Sequence, residues 1–139
     1  MLNTIETFDF DALEVSDAVG RKNAFVLLVY QMMTNLQNFT TPTVALNFQK
    51  LVQFLVKISA GYSSEVTYHN DLHGADVAQM LYVMVSKGGL NSMAQLSYLD
   101  LVAMITAGAC HDYAHDGFTN LYHVNFMTDR AIRYHDKAV

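Results

Sequence analysis

The feature that most constrains the fold is an apolar segment in the second half of the chain, which runs from Leu99 to Cys110 with Asp100 as its one charged residue. A helix that is apolar on every side is normally buried on every side. We therefore predict a central helix from about Ser92 to Cys110, surrounded by other helices. A chain of 139 residues, 52% of them apolar, is long enough to form one such core.

Two amphipathic helices are predicted ahead of this segment. Residues 22–36 carry apolar side chains at spacings of three and four, which is the period of a helix with one buried face. Thr41 followed by Pro42 predicts the start of a second helix, because the hydroxyl can cap free amides and proline fits the first helical position. That helix is expected to end at Gly61.

The rest of the chain is also predicted to be helical. Residues 62–70 indicate a loop, and the helix that follows ends at Gly88 and Gly89. Its predicted apolar face consists of Val77, Met80, Leu81, Met84 and Val85. A short helix is expected from Thr119 or Asn120 to Met127, and another begins near Asp129. We find no convincing strand, repeat or linker, so the prediction is an all-α chain over residues 1–139 without an internal domain boundary.

The charge distribution argues against nucleic acid as a partner. The formal net charge is −5, and the first twenty residues hold five carboxylates with no Lys or Arg. Sequence-independent nucleic-acid binding needs the opposite charge. If the substrate is an anionic phosphate, metal ions would have to supply positive charge at the site.

Compartment is inferred from what the sequence lacks. Cys110 is alone, so no disulfide can form within the chain. The first ten residues, MLNTIETFDF, do not resemble a signal peptide, and the apolar runs are too short to span a membrane. We expect a cytoplasmic location.

Four of the six histidines fall into two short clusters, YHNDLHGAD over residues 68–76 and HDYAHDG over residues 111–117. Each cluster contains H-x-x-x-H, and on a helix this spacing would present two imidazoles from one face to a common ion. His111 and Asp112 follow the buried apolar segment, where a polar pair needs a partner such as a metal. Mixed nitrogen and oxygen ligands suit Zn, Mn or Mg.

The remaining candidates are given structural roles. His123 and His135 lie outside the clusters, and we interpret them as packed or helix-capping residues. The Met-rich and Phe-rich stripes have the spacing of core packing, so they are assigned no chemistry.

An adjacent His-Asp pair with a separate upstream histidine resembles the ligand pattern of the HD superfamily of metal-dependent phosphohydrolases. The stretches YHNDLHGADV (68–77) and CHDYAHDGFTN (110–120) also resemble the two signature segments of class I cyclic-nucleotide phosphodiesterases. The resemblance extends from FDFDAL (8–13) to TDRAIRYHDKAV (128–139). It implies an HD-type catalytic domain that hydrolyses cAMP, cGMP or both to 5′-nucleoside monophosphates in signal transduction.

The resemblance also implies roles for single residues. His69 would donate a proton to the leaving ribose 3′-oxygen, and His73, His111 and Asp112 would be metal ligands. Asp112 would bridge two divalent ions, zinc plus magnesium or manganese. Tyr68 would line the substrate pocket, and His69, His73 and Asp112 would also contact the substrate.

Two further residues would support the metals. His115 would lie near a water molecule of the second ion, and Asn120 would belong to the supporting shell. Two departures from the family are local: Asp116 stands where proline is frequent, and His135 stands where asparagine is usual.

A larger departure is the length of the chain. The family domain continues well beyond the segment that resembles this chain, and there it supplies a fourth ligand, an aspartate, and the glutamine and aromatic clamp for the purine. We therefore expect the N-terminal portion of a catalytic domain, lacking its C-terminal half. Such a portion would bind metal weakly and would not hydrolyse cyclic nucleotides by itself.

Two alternatives remain open from the sequence. His111-Asp112-x-x-His115 superficially resembles the H-E-x-x-H motif of zincin metalloproteases, although aspartate is shorter than the glutamate required there and His69 and His73 would be left unused. The second alternative is a truncated or regulatory product that keeps the helices without the activity.

Overall fold

The computed structural model describes residues 2–137, and within them it contains eight α-helices and no strand. The helices are α1 Ala12–Val19, α2 Arg21–Asn35, α3 Phe48–Gly61, α4 Asp71–Ser86, α5 Leu90–Ala94, α6 Tyr98–Cys110, α7 Asn120–Asn125 and α8 Asp129–Tyr134. The all-α prediction is therefore confirmed. No helix in this part of the chain has both the length and the apolar character that a membrane crossing demands.

Short polar side chains begin most of these helices. Each accepts a hydrogen bond from a free amide in the first turn, which satisfies a donor that has no partner inside the helix. The capping residues are Asp11 for α1, Asn47 for α3, Asn70 for α4, Ser97 for α6, Thr119 for α7 and Thr128 for α8. The predicted α2, the end of α3 at Gly61 and the starts of α7 and α8 are confirmed within one or two residues. Helix α1 was not predicted.

Two predicted helix boundaries are wrong. The helix expected from Thr41 and Pro42 begins only at Phe48, because the Asn47 side chain caps it and accepts a hydrogen bond from the Lys50 amide at 3.0 Å. The single helix expected from Ser92 is two helices, α5 and α6. Gln95 interrupts them with φ 51, a left-handed conformation that an α-helix cannot contain. A reciprocal capping box between Ser97 and Asp100 then starts α6.

The predicted buried face of α4 is also wrong in part. Met80 and Met84 are 39% and 41% exposed, whereas Ala75, Ala78 and Tyr82 are fully buried. Ala75 and Ala78 are small enough for α4 to pack closely against its neighbours, and the larger Tyr82 ring is enclosed on the same helix. The sequence pattern favoured Met80 and Met84, but the shape of the neighbouring helices selected other side chains.

Helix α6 lies against α4 along one face only. Leu101, Ile105 and Ala109 are buried, whereas Leu99 is 54% exposed and Ala103 is exposed as well. The expectation that this helix is buried on every side is therefore wrong for residues 2–137. Its apolar character comes partly from alanines, which can face solvent without exposing a large apolar surface.

Glycines permit the close approach of α4 and α6. A Cβ atom added at Gly74 would lie 2.8 Å from the Ala109 carbonyl oxygen, and one added at Gly108 would lie 3.1 Å from the Ala78 Cα. These contacts place the first turn of α4 beside the last turn of α6. The two histidine clusters lie at these two helix ends, so the packing of the helices brings the clusters together.

Candidate metal centre

Asn70 fixes the start of α4, where the first histidine cluster lies. Its side-chain oxygen accepts hydrogen bonds from the amides of Leu72 and His73 at 3.0 and 3.2 Å. Its side-chain nitrogen donates to the Thr67 carbonyl at 3.0 Å, which holds the preceding loop against the helix. His73 is consequently placed in the first turn of α4.

The end of α6 orients the second cluster. His111 is the C-terminal capping residue of α6, and its Nδ1 lies 2.8 Å from the Gly108 carbonyl oxygen. Because a carbonyl only accepts hydrogen bonds, this contact puts the ring proton on Nδ1 and leaves the Nε2 lone pair free for a metal. Asp112 follows in the turn after the helix.

His73, His111 and Asp112 form the one group of three or more possible metal ligands found among residues 2–137. The Asp112 Oδ2 atom lies 3.0 Å from His111 Nε2 and 3.5 Å from His73 Nε2, and all three donor atoms lie within 4.8 Å of one another. Two ligands bound about 2.1 Å from one ion stand roughly 3.0–3.4 Å apart, depending on the coordination angle. The 3.0 Å separation fits this range and the 3.5 Å separation lies just above it, so a small movement of the His73 side chain would bring the three donors onto one divalent transition metal.

The surroundings keep His73 in the state that binds metal. Its side chain is 17% exposed, and burial together with the nearby His111 lowers the pKa of His73 below its ordinary value of 6.5. A neutral imidazole is the form that donates a lone pair to a metal. Protons therefore compete with a metal for His73 only under acidic conditions.

The other two clustered histidines form a separate pair. His69 and His115 stack with ring centroids 4.2 Å apart and an interplanar angle of 20°. The Gly117 amide donates a hydrogen bond to His115 Nδ1 at 2.9 Å, which orients this ring. Each H-x-x-x-H cluster thus contributes one histidine to the metal group and one to the stack.

The helical interpretation of the H-x-x-x-H spacing is therefore wrong. His69 precedes α4 and His115 follows α6, so neither cluster presents two histidines from one helical face. The zincin-like alternative needs such a helical pair at His111 and His115. The end of α6 at Cys110 argues against that alternative.

Tyr68 lies beside both histidines of the first cluster. Its ring centroid is 4.6 Å from that of His73 and 4.9 Å from that of His69, and the side chain is 64% exposed. A groove of about 350 Å³ runs past Tyr68 and His73 toward Phe10 and Asp11 of the N-terminal segment. Tyr68 is therefore accessible to a ligand at the metal group.

Asn120, the other supporting residue expected from the sequence, is the first residue of α7 and is exposed. The two histidines outside the clusters have the structural roles predicted for them. His123 is buried and is held by Thr128 and Asp116, and His135 ends α8.

Asp116 has a role that was not predicted. Its Oδ2 atom lies 3.2 Å from His123 Nε2 and 3.1 Å from Arg130, so it connects the His111–Gly117 turn to α7 and α8. Burial alone would raise the pKa of Asp116, but the Phe118 amide, Arg130 and His123 together lower it. The signal in the sequence was its departure from the proline that is frequent at this position.

Sequence comparison matches residues 68–139 to the family described as 3′,5′-cyclic nucleotide phosphodiesterase. This match includes the metal group and the His69–His115 stack. It covers slightly more than half of the chain.

Similarity to individual proteins covers nearly the whole chain. The chain is 33% identical over 142 residues to the mouse dual specificity calcium/calmodulin-dependent 3′,5′-cyclic nucleotide phosphodiesterase 1C, and the alignment covers 99% of this chain and 19% of that protein. The chain is 32% identical over 146 residues to the human 1B protein of the same description, and that alignment covers 100% of this chain and 26% of that protein. The chain spans about a fifth to a quarter of the length of these curated relatives. It belongs to the 3′,5′-cyclic nucleotide phosphodiesterase family.

Proposed function

We propose that the catalytic domain to which these 139 residues belong hydrolyses 3′,5′-cyclic nucleotides, cAMP, cGMP or both, to 5′-nucleoside monophosphates in signal transduction. The observation that carries this proposal is the group of His73, His111 and Asp112 beside the stacked His69. Relatives described as dual specificity cyclic nucleotide phosphodiesterases support the substrate class.

We propose that one metal ion would be held by His73, His111 and Asp112. Asp112 would also be a ligand of a second metal ion. Zinc with magnesium or manganese suits this mixture of nitrogen and oxygen ligands. Divalent ions at this position would neutralise the phosphate and activate water for attack. The Gly108 carbonyl keeps the His111 ring in the tautomer that binds metal.

His69 is proposed as the proton donor to the ribose 3′-oxygen. Its ring centroid lies 5.9 Å from that of His73, so it is next to the metal group without being one of the three ligands. Imidazole can carry a proton near neutral pH, as a general acid must. Stacking on His115 restricts the orientation of His69, while Tyr68 offers an aromatic surface beside the substrate.

We further propose that these 139 residues alone bind metal weakly and do not turn over cyclic nucleotides. Three protein donors leave the remaining coordination positions to water or to other ligands. The side chain of His111 is 36% exposed, so solvent reaches the group easily. The predicted fourth aspartate ligand and the purine clamp belong to the proposed remainder of the domain.

The test compares the 139-residue chain with a version extended to the end of the natural catalytic domain. Both are incubated with Mn²⁺ or Mg²⁺ and either cAMP or cGMP, and 5′-nucleotide product is separated by chromatography. We expect the extended version to hydrolyse at least one substrate and Asp112→Asn to abolish that activity. Unchanged activity in Asp112→Asn would refute the role of this carboxylate.

Two other outcomes bear on parts of the proposal. Family-like hydrolysis by the 139-residue chain would refute the proposal that it is inactive alone. An extended version that binds metal but hydrolyses neither nucleotide would favour the non-catalytic alternative.

A further inference from the structure

Asp71 is a fully buried carboxylate that the proposed mechanism does not use. It is the first residue of α4, two positions before His73. Its Oδ2 accepts a hydrogen bond from Ser59 Oγ at 2.7 Å and lies 3.3 Å from Lys22 Nζ. Its Oδ1 lies 3.0 Å from Arg21 Nε, an ion pair without the alignment of a good hydrogen bond. We name Asp71, Arg21, Lys22 and Ser59 the Asp71 cluster.

The Asp71 cluster joins three helices at the end of the molecule that holds the metal group. Arg21 and Lys22 are the first two residues of α2, Ser59 lies in the last turn of α3, and Asp71 opens α4. A buried carboxylate is tolerated only where such partners replace its water. The first turn of α4 can therefore occupy only the position in which Asp71 meets its partners.

Lys22 also connects the Asp71 cluster to the side of the metal group that holds His111 and Asp112. Lys22 Nζ also donates to the carbonyls of Ser59 and Tyr62, at 2.6 and 3.2 Å. The Tyr62 hydroxyl in turn donates to the Ala109 carbonyl at 2.9 Å, two residues before His111. Polar contacts at the backbone and at the hydroxyl of the buried Tyr62 thus connect the residue that opens α4 with the last turn of α6.

We propose that Asp71 is a positioning residue that sets the distance between His73 and the His111–Asp112 pair. This inference rests on the metal centre proposed above. A metal site needs its ligands held within about 0.5 Å of the binding geometry, which a supporting network of fixed side chains provides. Ion pairs from Arg21 and Lys22 and the hydrogen bond from Ser59 hold the buried carboxylate in one place, although its Oδ1 has no well-aligned hydrogen bond.

The Asp71→Asn substitution tests this role with little change in side-chain volume. It removes the negative charge that Arg21 and Lys22 share, so the start of α4 loses its ionic contacts with α2. Ser59 can still donate a hydrogen bond to the new amide oxygen. His73 is then less strictly placed, although all three metal ligands remain present.

The probe is Co²⁺ added to the complete 139-residue chain, followed by visible absorption, which reports both affinity and ligand geometry. We expect Asp71→Asn to weaken Co²⁺ binding about 10- to 100-fold, the usual effect of losing a supporting contact, and to change the absorption spectrum. A folded Asp71→Asn variant with wild-type affinity and spectrum would overturn the inference. Wild-type chain that binds no Co²⁺ at any concentration would instead overturn the metal centre itself.

A matched control separates positioning from general loss of stability. Gly89 has φ +74 and lies at the start of α5, where Gly89→Ala introduces backbone strain without touching the Asp71 cluster. Gly89→Ala should lower the urea midpoint of unfolding and leave the Co²⁺ affinity and spectrum unchanged. If Gly89→Ala weakened Co²⁺ binding as much as Asp71→Asn does, stability alone would explain the effect and the inference would fail.

A second variant keeps the test decisive if Asp71→Asn does not fold. Arg21→Met with Asp71→Leu replaces the ion pair by apolar side chains, a change that often preserves or increases stability. We expect this folded variant to bind Co²⁺ more weakly than wild type and with an altered spectrum. Wild-type binding by this variant would show that the charged cluster is not needed to position His73.

Discussion

Tyr62→Phe removes a single hydroxyl that connects the end of α3 to the end of α6. Tyr62 is only 2% exposed, and its hydroxyl donates to the Ala109 carbonyl at 2.9 Å. Phenylalanine fills the same space, and the edge contact of the ring with Tyr113, centroids 6.2 Å apart, can remain. The variant therefore removes a buried hydroxyl next to the metal group and keeps the aromatic ring.

Two contributions to stability follow from this geometry. Loss of the buried hydrogen bond should lower the free energy of unfolding by about 1 kcal/mol at neutral pH. Burial also raises the pKa of Tyr62 from 10.0 to about 12. Between these values the folded chain keeps a proton that the unfolded chain has lost, so stability falls as the pH rises. Across this pH range the free energy of unfolding of the wild type falls by about 2.7 kcal/mol in total, because each unit of difference in pKa corresponds to about 1.36 kcal/mol.

The two contributions predict a reversal with pH. Wild type should be more stable than Tyr62→Phe below pH 10, and the difference should shrink and change sign between pH 10 and 12. Burial also raises the pKa of Tyr82 and of Tyr98, but both residues are present in both proteins and their effects cancel.

The assay is urea unfolding followed by far-ultraviolet circular dichroism at intervals from pH 8 to pH 11.5. The wild-type free energy of unfolding is compared with that of Tyr62→Phe at each pH. A difference that stays constant over this range would refute the reasoning, because the Tyr62 hydroxyl would then titrate alike in the folded and unfolded chains.

Three further predictions concern the site and its surroundings. Asp112→Asn should weaken Zn²⁺ binding by at least about 100-fold in calorimetry, because it replaces an anionic ligand by a neutral amide oxygen, a larger change than the loss of a supporting contact. His69→Gln should leave the Zn²⁺ affinity unchanged but lower the hydrolysis rate of the extended version about 10²- to 10⁴-fold, which is the usual contribution of a general acid. Weakened metal binding in this variant would instead indicate that His69 is a ligand. Asp116→Ala should speed amide hydrogen exchange across residues 118–134, because His123 and Arg130 lose their shared partner. Unchanged exchange would mean that other contacts hold α7 and α8.

The sequence predicted the helices well where local signals decide their ends. The helix start at Thr119 or Asn120, the start near Asp129 and the end at Gly61 were recognised because capping and helix termination depend on neighbouring residues only. The false start at Thr41 shows the limit of this approach, since a suitable capping sequence does not form a helix unless the following side chains also pack. Asn47 capped the helix that did pack.

Packing between helices could not be predicted in the same way. The periodicity of α4 favoured Met80 and Met84 as core residues, yet Ala78 and Tyr82 are the fully buried ones. Which face of an apolar helix is buried depends on the shape of its neighbours, and Gly108 determines how closely α6 can approach.

The family resemblance grouped His73, His111 and Asp112, and the structure places their donor atoms within 4.8 Å of one another, whereas spacing suggested a different grouping. Spacing paired His69 with His73 and His111 with His115, but the structure pairs His73 with His111 and stacks His69 on His115. The Asp71 cluster was not anticipated, because Arg21 and Ser59 are far from Asp71 in the sequence and only the packing of α2, α3 and α4 brings them together.

The central claim is that His73, His111 and Asp112 bind one divalent metal together. Crystals of the chain grown with Zn²⁺ and measured on both sides of the zinc absorption edge test it most directly. We predict an anomalous peak about 2.0–2.2 Å from His73 Nε2, His111 Nε2 and an Asp112 oxygen. A peak at another position, or none between these three side chains at saturating Zn²⁺, would contradict the claim.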